Sequence, residues 1–423
     1  MFLFPLSALF PFLLRGEYLR DSRGNFIRYA GKLNSSPVMV RDCPPRSGEF
    51  RAVWIATVEN IDFPRCRTAA EFCQHYRNLL RRIKAAGFTA VIFQIRSNCD
   101  AFYPSAYAPF SRWMTGQEAA GWKNFDPLKF MVTETRRLGM EFHAWFNPYR
   151  VVRATRLSKE AYLARLAPNN FARRNPHLVL AVPMGKGEIS LLLDPGEPEV
   201  IRYITAVVHE VAYRYRPDAI HFDDYFYPYD GKMIPDGDTY RRRNPYKLSL
   251  ANWRRHNVNT LILQVRRTID RVNYGKSDKV RFGISPFGIW ANYAPETPAG
   301  SRTKGQESFH TLFADSRLWV KRRYVDYIVP QIYWHRTHKK ASFTVLLNWW
   351  CNVVRGTGVK LYIGHALYRF GTPGWGQDEL VQQLRLVRTR REASGSVLFS
   401  SRHLLAPATT PVKLGVSRIW KDR

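Results

Sequence analysis

Acidic residues are scarce in this chain. Its 423 residues include 34 Asp and Glu against 65 Lys and Arg, a formal charge of +31. A field of that size attracts polyanions and anionic surfaces but does not specify a fold. The basic residues are scattered, with only short runs such as Arg241-Arg242-Arg243 and Lys321-Arg322-Arg323. No RNA- or DNA-binding motif accompanies them, so nucleic acid is not an expected partner. Cysteine is also sparse: Cys43, Cys66, Cys73, Cys99 and Cys351 form an odd set without a CxxC pair. That argues against a disulfide framework and a zinc site, and predicts mostly free thiols. Long apolar runs are lacking too. Met1 to Leu14 is almost wholly apolar but too short to span a bilayer comfortably. It resembles a signal h-region, without a basic n-region or a clear small-residue cleavage site. Residues 1–45, with Ser35-Ser36-Pro37 and Pro44-Pro45, read as a leader and linker that suggests export.

Other motifs are missing as well. No glycine fingerprint follows the first strand, and there is no phosphate loop. Gly283-Ile284-Ser285-Pro286 lacks the second glycine of a nucleophile elbow. Scattered His and Asp residues show no metal-ligand spacing, so neither metal nor cofactor is expected.

What the chain does contain is 45% hydrophobic residues, with 12 Trp, 22 Tyr and 26 Phe. Eight short apolar segments read as strands: Phe50–Val58, Ala90–Arg96, Glu141–Tyr149, Ala219–Tyr225, Arg281–Gly288, Asp326–Trp334, Val359–Tyr368 and Ser396–His403. Helical periodicity fills Ala69–Ala86, Pro127–Leu138, Pro198–Tyr215, Trp253–Val272, His310–Arg323 and Gln377–Glu392 between them. Strand–helix alternation implies a parallel sheet, and eight such units imply closure. The expected fold is therefore α/β, a single (β/α)8 TIM-type barrel over residues 46–423. A long insertion is expected between strands three and four, where two apolar runs, Leu178–Pro183 and Ile189–Leu193, could pair as a hairpin.

Polar and aromatic residues crowd the C-terminal ends of these strands, where barrel enzymes place their chemistry. Buried unpaired, each would cost about 1–3 kcal/mol, so they need a purpose. Strand four ends His221-Phe222-Asp223-Asp224-Tyr225. Side-chain alternation puts Asp223 on one face and Asp224 on the other. Adjacent carboxylates in aromatic surroundings can hold different protonation states, one acting as a proton donor and the other staying charged. Asp223 and Asp224 are thus the catalytic candidates. Arg96, Asn98, Asn147, Gln331 and Tyr333 are candidates for sugar hydroxyls, Trp145, Tyr225, Trp290 and Trp334 for stacking, and Asp100, Tyr149 and His365 are further substrate-binding candidates. Strand seven, a frequent source of the second carboxylate in glycosidases, offers His365 instead. Glu59, Asp62, Asp100 and Asp194 are the other acids to consider.

At these residues the chain resembles the glycosyl-hydrolase-like family 10 barrels of bacteria. The resemblance is carried by Glu49-Phe50-Arg51-Ala52-Val53-Trp54-Ile55, His143-Ala144-Trp145-Phe146-Asn147-Pro148-Tyr149-Arg150 and Ile220-His221-Phe222-Asp223-Asp224-Tyr225. It continues through Trp253-Arg254-Arg255, Gly283-Ile284-Ser285-Pro286-Phe287-Gly288, Tyr327-Ile328-Val329-Pro330-Gln331 and Leu361-Tyr362-Ile363-Gly364-His365. Ser97 and His256 depart from the family pattern, where Pro and an acidic residue are expected. The resemblance implies a barrel, an extracytoplasmic location in or beyond the bacterial cell envelope, and a glycan substrate. Peptidoglycan strands stripped of their peptides are the substrate it points to most directly. Peripheral contact with anionic envelope surfaces fits the charge. A carbohydrate-binding barrel without turnover is the alternative reading.

Overall fold

The computed structural model describes residues 16–18, 20, 23–26, 28, 36, 37, 39–41, 46–229, 233–369, 375, 379–405, 416, 419 and 420. Within the leader, Gly16–Tyr18 pairs antiparallel with Met39–Arg41. The apolar run Met1 to Leu14 and Cys43 lie outside the described residues. Cys66, Cys73, Cys99 and Cys351 are free thiols.

From Phe50 onward the chain builds a closed barrel of parallel strands in sequence order. They are β1 (Phe50–Ile55), β2 (Ala90–Arg96), β3 (Glu141–Phe146), β4 (Ala219–Phe222), β5 (Arg281–Ile284), β6 (Tyr327–Ile328), β7 (Lys360–Ala366) and β8 (Ala393–Phe399). Several strands end earlier than their composition suggests. The polar residues beyond the last ladder bonds leave the sheet and form the rim. Period-two alternation sorts each strand into two faces. Phe50, Trp54, Ile92, Trp145, Tyr327 and Tyr362 fill the barrel. Val53, Ile55, Val91, Phe93 and Phe142 face outward onto the helices. Gly283 is required by packing, because a Cβ there would lie 2.0 Å from the Tyr327 ring.

The helices obey ordinary end rules. Ala69–Ala85 is capped by the Thr68 side chain accepting from the Glu71 backbone N–H. Pro127–Arg137 has Asp126 in the same role, with Pro127 in the first turn. The expected helix over His310–Arg323 is broken into Ser308–Thr311 and Ser316–Lys321, because Asp315 caps a new start at Leu318. The helix Phe343–Val354 precedes β7 and is missing from the sequence reading. Its run of apolar residues carries little polar face by which to recognise it.

Between β3 and β4 the chain forms a three-stranded antiparallel sheet. Glu188–Leu193 lies in its centre, flanked by Arg150–Thr155 and Val179–Gly185. Its first strand leaves the top of β3 directly and carries Arg150 and Arg153 over the mouth.

A polar chain runs up inside the barrel. At the bottom, Arg281 pairs with Glu141, and Glu141 also meets His143 Nε2 at 3.0 Å. The Tyr327 hydroxyl bridges His143 Nδ1 at 2.9 Å and His221 Nδ1 at 3.0 Å. At the top, His221 Nε2 accepts from Trp54 Nε1 at 3.3 Å and meets Ser285 Oγ at 3.0 Å. An indole N–H can only donate, so it fixes Nε2 as acceptor and Nδ1 as the protonated nitrogen of His221. Burial keeps His221 neutral by pushing its pKa well below the usual value. Tyr327→Phe would preserve volume but strip the partner from two buried ring nitrogens. It is expected to cost about 2 kcal/mol or more, read as a lower Tm, and a wild-type Tm would show that the bridge contributes nothing.

Candidate functional site

The barrel mouth opens into a cleft of about 500 Å³. Every element at the rim contributes to its walls. Trp54 comes from β1 and Gln94 from β2. Trp145 comes from β3, with Asp223 and Asp224 just past β4. Ser285, Gln331 and Tyr333 follow β5 and β6, Tyr368 and Arg369 follow β7, and Phe399 ends β8. A larger concavity of about 850 Å³ lies outside the barrel between the helices Pro198–Arg214 and Leu250–Asn273. Among the described residues no carboxylate walls it, so size alone does not mark the chemical site.

The aspartate pair has a specific origin. Strict alternation would send Asp223 and Asp224 to opposite faces. Instead β4 stops at Phe222, the chain bends, and both residues line the cleft. Their environments then diverge. Asp223 accepts from Trp145 Nε1 at 3.1 Å, from Asn147 Nδ2 at 3.0 Å and from the Tyr225 backbone N–H at 3.2 Å. Burial raises its pKa, while Arg150 and these donors oppose that rise. Asp224 has a buried Oδ2 without a hydrogen-bond partner among the described residues. Burial, and then the adjacent Asp223 charge, push its pKa up to about 8. Hydrogen bonding from Gln331 opposes that rise without cancelling it, and a carboxyl with fewer donors than its neighbour is the better placed to keep a proton. Of the two, Asp224 is the one placed to hold a proton and Asp223 the one placed to carry charge.

Of the expected site residues, Asp223, Asp224, Trp145, Tyr225, Gln331, Tyr333 and Trp334 meet at the cleft. Asn147 sits behind Asp223 and holds it, and its Oδ1 also accepts from the Arg150 backbone N–H. Gln331 is itself braced by donating to the Ser285 carbonyl at 2.8 Å.

Others are elsewhere. His365 is fully buried between barrel and helices, hydrogen-bonded to Gln383 and Ser396. Its neighbour Gly364 faces inward toward Trp54, so alternation turns His365 out. Arg96 is displaced by an irregularity in the β2–β3 ladder between Gln94 and Arg96. It lies over Tyr203 and donates to its hydroxyl. Asn98 donates to the Val151 carbonyl at 2.7 Å and so anchors the insertion. Asp100 accepts from Ser111 Oγ and the Asn98 backbone N–H, stabilising its own loop. Trp290 stacks on Trp349 and donates to Asp315, away from the mouth. Tyr149 is buried and walls a neighbouring side cavity instead of the cleft. Among the further acids considered, only Glu59 opens on the cleft, where it pairs with Arg153 at 3.2 Å. Asp62 ties Ala56 to Ser400, and Asp194 caps a turn at Gly196.

Sequence reasoning missed Trp54, Arg150, Arg153, Phe287, Tyr368 and Phe399 as cleft residues. Inward parity on β1 could have found Trp54. Nothing in the sequence predicts the fold of the insertion strand that brings in the arginines. Among the described residues, no cluster of His, Cys, Asp or Glu could hold a metal ion.

With this geometry in view, the chain can be compared with known proteins. Residues 49–381 match the family model described as Glycosyl hydrolase-like 10. The chain is 41% identical over 366 residues to "Glycosyl hydrolase YngK" of Bacillus subtilis, covering 84% of this chain and 69% of that protein. It is 37% identical over 385 residues to "Glycosyl hydrolase DigH" of Escherichia coli, covering 86% and 85%. Among solved structures, the catalytic domain of a β-amylase from Paenibacillus polymyxa superposes with a TM-score of 0.52 at 12% identity, covering 89% of this chain and 99% of that one. An α-L-fucosidase from Paenibacillus thiaminolyticus gives 0.50 at 11% identity, covering 88% and 49%. At those identities the likeness concerns the barrel fold alone. The family match extends over most of the chain and includes the aspartate pair, so the protein belongs to the glycosyl hydrolase-like 10 family.

Proposed function

We propose that this protein hydrolyses glycosidic bonds in a bacterial cell-envelope glycan, with peptide-free peptidoglycan strands as the substrate. The observation that carries the reading is the adjacent aspartate pair in an aromatic-walled cleft, one carboxyl held by N–H donors and the other with a buried oxygen that no described residue partners. Glycoside hydrolysis needs a proton for the departing oxygen and negative charge beside the oxocarbenium-like centre. Asp224 is the proton donor and Asp223 the fixed anion. Trp145 and Asn147 hold Asp223 in place, so little reorganisation accompanies the reaction. Trp145, Trp334 and Tyr225 offer ring faces for sugar C–H surfaces. The +31 charge supports an approach to anionic envelope surfaces, and the resemblance to the glycosyl-hydrolase-like family 10 barrels supports the choice of peptide-free strands and an extracytoplasmic location.

The charge states give a pH signature. The acid form of Asp224 is lost as pH rises through about 8, so kcat/KM should fall there. On the acid side it should fall as Asp223 takes up a proton, at a pH above the usual aspartate range. A profile flat from pH 5 to 9 would contradict the assignment. Stability should respond too. Below pH 4 Asp224 is protonated whether folded or unfolded. Between pH 4 and 8 only the unfolded chain ionises, so folding weakens as pH rises. Asp224→Asn removes this penalty, and its Tm should exceed wild type at pH 7 by ~3 °C or more but match it near pH 4.

Asp223→Asn should lower cleavage of peptide-free strands by about 10³-fold or more while keeping the folded Tm, measured by mass analysis of released products. Turnover at the wild-type rate would remove Asp223 from the mechanism. Wild-type protein that retains glycan strands yet releases no reducing ends would identify a binding barrel instead.

A further inference from the structure

Beside the cleft lies a second cavity of about 200 Å³, between the insertion sheet and the segment Tyr225 to Tyr229. The two spaces share Arg150, Arg153, Tyr225 and Tyr229 as common walls. Two arginines and no carboxylate are among the described walls of this side cavity.

Arg150 stands at the junction. The residue is 8% exposed, and its guanidinium lies 4.3 Å from the centre of the Tyr225 ring. Among the described residues, no side chain or carbonyl accepts a hydrogen bond from that guanidinium. Asp223 and Asp224 act on it only through space, since neither forms an ion pair with it. Its neighbour Arg153 differs, because Glu59 already holds it. The nitrogens of Arg150 are not among the sealed polar atoms that lack a partner, so the largely buried side chain turns its N–H groups to open space between the walls of the two cavities. Stacking on Tyr225 covers one face of the guanidinium and leaves its in-plane N–H fork available, the arrangement suited to a bidentate oxyanion. The mouth as a whole keeps an excess of positive charge. Arg150, Arg153 and Arg369 face Asp223 and Glu59, with Asp224 carrying its proton.

We propose that Arg150 is the acid-reading residue of this site: the glycan carries a carboxylate on a sugar substituent, which enters the side cavity and is bound by the Arg150 guanidinium. The inference rests on the glycosidase reading above and adds to it the residue that recognises the acidic substituent. The substituent leaves the ring on the side of the insertion sheet, which fixes the register of the chain over Asp223 and Asp224.

The test uses two preparations of the same peptide-free strands, one with native sugar carboxylates and one with those carboxylates converted to neutral methylamides. Wild-type protein should cleave the acidic strands with a kcat/KM at least tenfold higher, mainly through KM. Arg150→Gln should bring the ratio close to one, and Arg150→Lys, which keeps charge but loses the fork, should give an intermediate ratio. The wild-type comparison stands even if a variant fails to fold. Cleavage of both strands at equal rates overturns the carboxylate assignment and leaves the glycosidase reading intact. A preference that survives in Arg150→Gln also overturns it. If neither strand is cleaved, the glycosidase reading fails. Retention of acidic over neutral strands by Asp224→Asn then still reads the Arg150 preference, and equal retention overturns it.

Discussion

The barrel depends on the hydroxyl of Tyr327. It lies on the axis with a histidine on either side, and it joins the ion pair at the base to the indole and serine at the top. Polar groups in an apolar interior are stable only when each donor finds an acceptor, and a half-satisfied network is worse than none. Here the direction of every bond follows from Trp54, whose indole can only donate. Gly283 is part of the same arrangement, because the ring that carries the hydroxyl occupies the space a side chain would take. The aspartate pair therefore rests on a floor that is rigid and electrically neutral at its upper end.

Above that floor, burial acts on like groups with unlike results. Asp223 and Asp224 are neighbours in sequence and are both withdrawn from water, yet one is held by several N–H donors while, among the described residues, the other keeps a buried oxygen without a partner. Donors decide which carboxyl remains charged, and that charge in turn holds the proton on its neighbour. Arg150 belongs to this balance. It moderates both aspartates from a distance while its own hydrogen-bonding capacity stays unused.

Most of the barrel was legible in the sequence because buried parallel strands are short, apolar and bounded by helices with ordinary caps. Strand ends were read too long because the rim residues keep strand-like composition after the last ladder bond. The aspartates were legible by position at the end of β4. Which neighbours join them was not, because that depends on register. One residue of parity separates Gly364, which faces in, from His365, which faces out. A single ladder irregularity carries Arg96 out of reach of the mouth. Trp290 needed tertiary contacts to be placed at all. The arginines of the cleft arrive on an insertion strand whose course is set by Asn98 and Asn147, polar residues whose work is structural support.

The way the chain enters the barrel has a further consequence. Phe50 begins β1 at the face opposite the aspartates, where Glu49 is buried against Arg388. Trp420 packs on Phe88 at that same end, and Arg51 binds its carbonyl. The Glu49–Arg388 pair and the seat of Trp420 lie a strand's length from the aspartates, so a substitution at this end can change how firmly the barrel is closed without touching a wall of the cleft.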